Sequence, residues 1–271
     1  MSVRQNWFFR YAGKTHGLLL LLCVWGPAWG GNINDPDGIT LQSMRVIYPA
    51  TKNRGITFTV TNNTRRPYLV QSRVVPWSFS SEQDQLTEEP LKVPFVVTPP
   101  LSRIEAGDTL SLHIRQFANT LPGNRESVFA FQIKSIPGQS DRRGDKKMPL
   151  LVGDEPAKVV LALQNTLKLF YRPDGLPEYD VQSISQSLQF RRKGNQLVVM
   201  NPSAFYVTFH TLSVGGKAVE DKAMLNMVPP FGEQTYPLTD IRSSGEVRWE
   251  LLDDFRVPTK QMRRALGNSG K

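Results

Sequence analysis

Lys158-Val-Val-Leu-Ala-Leu163-Gln-Asn-Thr-Leu-Lys168-Leu-Phe-Tyr-Arg172 gives the strongest strand signal in the chain, and it stops against Pro173-Asp-Gly-Leu-Pro177. A run of Val, Leu, Phe and Tyr cut off by Pro and Gly predicts one long β-strand, Val159 to Tyr171, followed by a break. At period two, Val159, Leu161 and Leu163 fall on one face, and Leu167 joins them if the register holds. Filling a sandwich core is the plain expectation for such a face. Lys168 is discordant. A lysine between Leu167 and Leu169 is costly to bury without an anionic partner, and a cation at the end of a strand edge is suited to capturing a chain-terminal carboxylate.

The segments on either side are also short strands. Ile56-Thr-Phe-Thr-Val60 alternates and ends in the turn cluster Asn62-Asn63-Thr64. Tyr68 to Val75, Pro94 to Thr98, Leu110 to Ile114 and Val128 to Ile136 follow. Downstream, Ser187 to Phe190, Gln196 to Met200, Phe205 to Leu212, Thr235 to Leu238 and Glu246 to Leu252 form a second series, and no long helical periodicity appears. Two such series, each of about 100 residues, predict an all-β chain of two immunoglobulin-like sandwiches. The first spans 31–172, with its last strand at about 158–171. A linker covers 173–178, and the second domain with a basic tail covers 179–271. No motif repeat relates the halves. Arg45, in Met44-Arg-Val-Ile-Tyr-Pro49, is a second strand-embedded cation. The connection 137–156 is longer than loops usually run without a function.

Residues 1–30 predict a cleavable secretory signal peptide: Arg4, Arg10 and Lys14 come first, then Gly17 to Trp25, then Ala28-Trp-Gly30. The apolar run falls short of the ~20 residues that span a bilayer. The single cysteine, Cys23, leaves with it, so the mature chain must be held by ordinary cores. The 33 Lys and Arg exceed the 24 Asp and Glu by nine. The leader removes three bases and no acid, leaving +6. Outside Arg142 to Lys147 and the tail from Arg256 onward these bases are dispersed, and both runs read as solvated surface. Export argues against a nucleic-acid partner.

His113 and His210 are the only histidines past the leader. Each stands among strand residues, with no nucleophile elbow, phosphate loop or metal-ligand spacing near it. No enzyme, metal or cofactor is expected.

Several motifs occur in one order: Met44 to Pro49, Val60 to Thr64, Pro67-Tyr-Leu-Val-Gln-Ser72, Val97-Thr-Pro-Pro100, Leu121-Pro-Gly-Asn-Arg-Glu-Ser127, Leu167 to Pro173 and Asn201-Pro-Ser-Ala-Phe-Tyr-Val-Thr208. Together they make the chain resemble, over nearly its whole mature length, the PapD-like periplasmic pilus chaperones of the chaperone–usher pathway. That resemblance implies two Ig-like domains in a boomerang. It also implies donor-strand complementation, in which Val159, Leu161 and Leu163 fill the groove of an incomplete pilus subunit. Arg45 and Lys168 match the pair that anchors the subunit's C-terminal carboxylate. Glu126, Arg172 and Asp254 match an interdomain salt bridge, with Asp254 chosen over Asp253 on an ungapped reading. An outer-membrane usher is the implied second partner, and capping of the free strand in a self-dimer is left open.

The family's long-loop branch usually carries a cysteine pair that this chain lacks. Leu150, Leu151 and Val152 either extend the donor surface or tether the loop. Lys260, Arg263, Arg264 and Lys271 of the tail have no assigned counterpart. An exported adhesin or structural pilus component is the alternative, although such a subunit ordinarily has a disulfide and one incomplete domain. A glycan-binding module would need clustered aromatics, and only Trp77 and Trp249 remain beyond the leader.

Overall fold

The computed structural model describes residues 38–77, 93–118, 120–138, 161–239 and 245–266. Among the described residues nine strands come first: β1 (Ile39–Leu41), β2 (Arg45–Pro49), β3 (Ile56–Asn62), β4 (Tyr68–Pro76), β5 (Phe95–Thr98), β6 (Leu101–Ile104), β7 (Thr109–Gln116), β8 (Ser127–Pro137) and β9 (Leu163–Arg172). They form two sheets, ordered β1-β3-β7-β5 and β2-β9-β8-β4-β6. Alternation decides which residues meet between them. Phe58, Val60, Leu112 and Ile114 from one sheet are sealed against Val70, Phe131, Ile133, Leu167 and Leu169 from the other.

The second sandwich begins with α1 (Val181–Ser187) and β10 (Gln189–Lys193). It continues with β11 (Gln196–Asn201), β12 (Phe209–Val214), β13 (Lys217–Ala218), α2 (Asp221–Met224), β14 (Gly232–Pro237), β15 (Glu246–Leu251) and β16 (Met262–Ala265). Its sheets are β10-β11-β14 and β13-β12-β15-β16. Trp249 lies at the centre, its indole N–H donating to Ser185 Oγ of α1 at 2.9 Å.

Contrary to the sequence expectation, one motif does repeat. Asn62 ends β3 and Asn201 ends β11, and both are buried. Asn62 Oδ1 accepts from the backbone N–H and hydroxyl of Thr64. Asn201 Oδ1 accepts from the same two groups of Ser203. Asn62 Nδ2 donates to the carbonyls of Arg66 and Glu105, and Asn201 Nδ2 donates to those of Phe205 and Pro229. Val-x-Asn-x-Thr and Val-x-Asn-x-Ser are therefore one device used twice, stitching a strand end to two neighbouring loops.

Four other expectations change. Residues 181–187 are helical because Asp180 caps them, accepting from Gln182 N at 2.9 Å. The strand expected from Phe205 begins at Phe209, because Phe205 and Tyr206 are engaged at the domain junction described below. The last strand of the first sandwich begins at Leu163, since its ladder partner β8 ends at Pro137, which has no N–H to extend pairing. Residues 158–160, Val159 among them, lie outside the described residues, as does the connection 137–156 beyond Gly138. The tail is more than solvated surface: Met262–Ala265 pairs with β15, and Arg264 donates to the carbonyls of Leu188 and Gln186 beneath it. Lys260 and Arg263 are exposed, and Lys271 is not among the described residues.

Candidate functional site

Strand β9 has two edges with different partners. Along one, β8 pairs with it from Leu163 to Tyr171. Along the other, β2 pairs in parallel only from Lys168 to Arg172, beginning with Arg45 opposite Lys168. Among the described residues, Leu163 to Leu167 therefore present one row of unpaired backbone groups, an open template for another strand. The side chains change character at the same point. Leu167 is 2% exposed inside the sandwich, whereas Leu163 is 62% and Leu161 is 79% exposed. The core-facing side of the strand thus runs out past the end of its own core and stays apolar there. Asn165 lies between the two regimes, half-buried.

Lys168 stands where the open edge meets β2. No carboxylate among the described residues lies within ion-pair distance of it; its ammonium sits 5.2 Å from the centre of the Trp77 ring. Burial and the like charges of Arg45 and Arg256 pull its pKa from the usual 10.5 to about 8. This is the state of a cation lacking its anion.

Arg45 is already engaged. Its side chain is only 7% exposed. It donates to Thr208 Oγ1 at 3.0 Å and to the carbonyl of Asp253 at 3.1 Å, and it lies 3.7 Å from Asp254 Oδ1. The guanidinium also covers the Phe170 ring at 4.9 Å. Arg45 therefore ties the first sandwich to the second while standing beside Lys168.

Arg172, at the end of β9, bridges the domains more fully. Its Nε donates to Glu126 at 2.8 Å, and its two Nη groups hold Asp254 at 2.7 and 2.8 Å. The guanidinium stacks on Tyr179 at 4.2 Å. The second oxygen of Glu126 accepts Tyr206 N–H at 2.8 Å, and Glu126 N–H donates to the carbonyl of Ala204. Burial pushes the Glu126 carboxyl up, opposed by the Arg172 charge and the Tyr206 N–H. Asp254 rather than Asp253 makes the ion pair. Asp253 contributes its carbonyl to Arg45 and turns its carboxylate onto the N–H groups of Phe255 and Val257.

Of the two histidines weighed for catalysis, His113 Nε2 meets the carbonyl of Arg54 at 2.7 Å, a structural role. Thr208, Trp77 and Arg256 were not singled out from sequence as site residues. Thr208 closes a quoted motif, Trp77 is one of two tryptophans beyond the leader, and Arg256 reads from sequence only as the start of the basic tail.

Residues 38–177 match the family described as pili and flagellar-assembly chaperone, PapD N-terminal domain, and 183–259 match its pili assembly chaperone C-terminal domain. The chaperone protein LpfB of Salmonella typhimurium is 34% identical over 223 residues, covering 80% of this chain and 84% of that one. Among solved structures, one chain of the Salmonella enterica SafA pilin–SafB chaperone complex superposes with a TM-score of 0.66 at 29% identity, covering 84% of this chain and 96% of that one. The Escherichia coli chaperone DraB gives 0.65 at 30% identity, covering 84% and 98%.

Proposed function

The chain belongs to the PapD-like family of periplasmic pilus-assembly chaperones, which are not enzymes, and on that premise we propose that it lends the open edge of β9 to a pilus subunit. One observation carries this: the unpaired backbone edge of Leu163 to Leu167 runs out into an apolar face, Leu163 and Leu161, that its own domain does not cover. A guest strand added there satisfies both, its backbone closing the ladder while Leu161 and Leu163, with Val159 beyond the described residues, enter the guest's interior.

Lys168 fixes where the guest stops. A strand whose terminal carboxylate rests on Lys168 runs in the same direction as β9 and ends where β2 begins, so guest and β2 lie end to end along one edge. Arg45 borders the same point. The carboxylate supplies the anion that Lys168 lacks, and five open residues give about 16 Å of pairing at the usual rise. Glu126, Arg172 and Asp254 set the angle between domains, a role suited to a partly buried ionic cluster. Residues 1–30 act as the export signal, with domains at 31–172 and 179–271. An outer-membrane usher receives the complex, and a second copy pairing the same edge is the occupant when no subunit is present.

The test is co-expression with a pilin subunit from the same genome. The native chain is expected to recover soluble subunit in a one-to-one complex, and Lys168→Ala is expected to recover little. Equal recovery by both removes the anchoring role of Lys168. Recovery that survives Leu163→Asp removes the donor edge.

A further inference from the structure

The turn between β15 and β16 has no part in either core, yet it is firmly built. Asp253 Oδ1 accepts from Phe255 N at 2.9 Å and from Val257 N at 2.7 Å. Asp253 N donates to the carbonyl of Val257, and Arg256 N donates back to that of Asp253. Arg256 is one of two non-glycine residues among those described with positive φ, at 64°. This fixed turn presents two apolar side chains to solvent: Phe255 is 87% exposed and Val257 is 57% exposed. A loop held this tightly with its phenylalanine outward is organised to meet something.

Its location indicates what. The carbonyl of Asp253 accepts both Arg256 N and Arg45 Nη1, each at 3.1 Å, so the base of the turn is joined to the side chain beside Lys168. The charge of Arg256 is felt at Lys168 as well. Among the described residues around this junction, four cations (Arg45, Lys168, Arg172, Arg256) stand with three carboxylates (Glu126, Asp253, Asp254), one fewer anion than cations.

We propose that the Phe255–Arg256–Val257 turn is a second contact surface for the pilin subunit, with Arg256 drawing in the subunit's terminal carboxylate and Phe255 and Val257 packing on the subunit beside its last strand. This rests on the donor-edge reading above. The turn thereby gives the second sandwich a part in choosing which subunit is held, through the shape of the surface that must meet a phenylalanine and a valine. Such a contact is central enough to change dissociation, while the cation at its rim acts chiefly on association.

The test uses the full chaperone and the pilin that the native chain recovers on co-expression. Phe255→Ser with Val257→Ser, and Phe255→Ser alone, are compared with Arg256→Gln and Lys168→Ala, each checked by urea unfolding. The apolar variants are expected to unfold like the native chain and to release subunit roughly tenfold faster. Arg256→Gln is expected to slow association several-fold at low salt, with the difference fading near 0.5 M salt as charges are screened, on the order of the Debye argument. It is also expected to raise the titration midpoint of the Lys168 ammonium above about 8 in the free protein, an effect that a merely structural turn would not produce. Unchanged rates in the turn variants, with Lys168→Ala still defective, overturn the second contact and leave the donor edge standing. A native chain that recovers no pilin overturns both.

Discussion

Replacing Lys168 by Met keeps the aliphatic stem and removes the charge, and the free chaperone is expected to become more stable as it loses function. The ammonium is largely buried and feels the like charges of Arg45 and Arg256, no carboxylate among the described residues lies within ion-pair distance of it, and its pKa falls from 10.5 to about 8. At about 1.4 kcal/mol per pKa unit, carrying that charge near pH 7 costs the fold roughly 3 kcal/mol. The packing of Lys168 on Trp77 returns about 0.5–2 kcal/mol of this, and Met forfeits it. The net gain at neutral pH is therefore on the order of 1–3 kcal/mol. A lysine whose folded pKa is depressed gives up its proton more readily in the fold, so native stability rises with pH between about 8 and 10.5. The advantage of Lys168→Met then shrinks by about 1.5–2 kcal/mol between roughly pH 7 and pH 9.5. Urea unfolding at the two pH values measures both quantities. A variant no more stable than the native chain at neutral pH, or a gain indifferent to pH, refutes the picture of a cation held ready without its anion. The same linkage acts on the complex. A carboxylate on Lys168 restores the proton, so subunit affinity should fall by up to tenfold per pH unit above about 8.

Leu163→Asp should leave the free protein within about 0.5 kcal/mol of native, since the side chain is exposed, whereas Leu167→Ala should cost about 2–5 kcal/mol; urea unfolding separates lent residue from core residue. Arg172→Met leaves Glu126 buried with only the Tyr206 N–H, and should cost roughly 2–4 kcal/mol near pH 7.5. Because burial already raises the Glu126 pKa, that loss should diminish on acidification as the carboxyl takes up a proton, which unfolding near pH 5 checks. Asn62→Ala and Asn201→Ala each strand buried carbonyls and should cost about 2–3 kcal/mol, adding in the double variant to within about 0.5 kcal/mol because they serve separate cores.

Local chemistry made part of this protein legible from its residues. Alternation in Ile56–Val60 and Val128–Ile136 determines strand and face together, since period two leaves one side apolar. The isolation of Lys168 and Arg45 among strand residues marked both before any pairing was known. Short features were less visible: α1 is too brief for its period to emerge, and β16 looks like a charged tail because edge strands tolerate charge. The twin Asn devices were hidden because they share only a Val, an Asn and a hydroxyl residue and differ at the rest.

Tertiary structure alone decided what these residues can do together. No pattern within β9 says that β2 starts opposite Lys168 and leaves the preceding five residues open, or that Leu163 lies beyond the core that Leu167 helps fill. Nor does any local signal turn Arg45 onto Thr208 and Asp253, or bring Arg256 toward Lys168 from the far end of the chain. Strand identity and face are set by neighbours a few residues away, which the sequence contains directly. Register between distant strands, and the free edge it leaves, depends on how all the strands of both sandwiches pack at once.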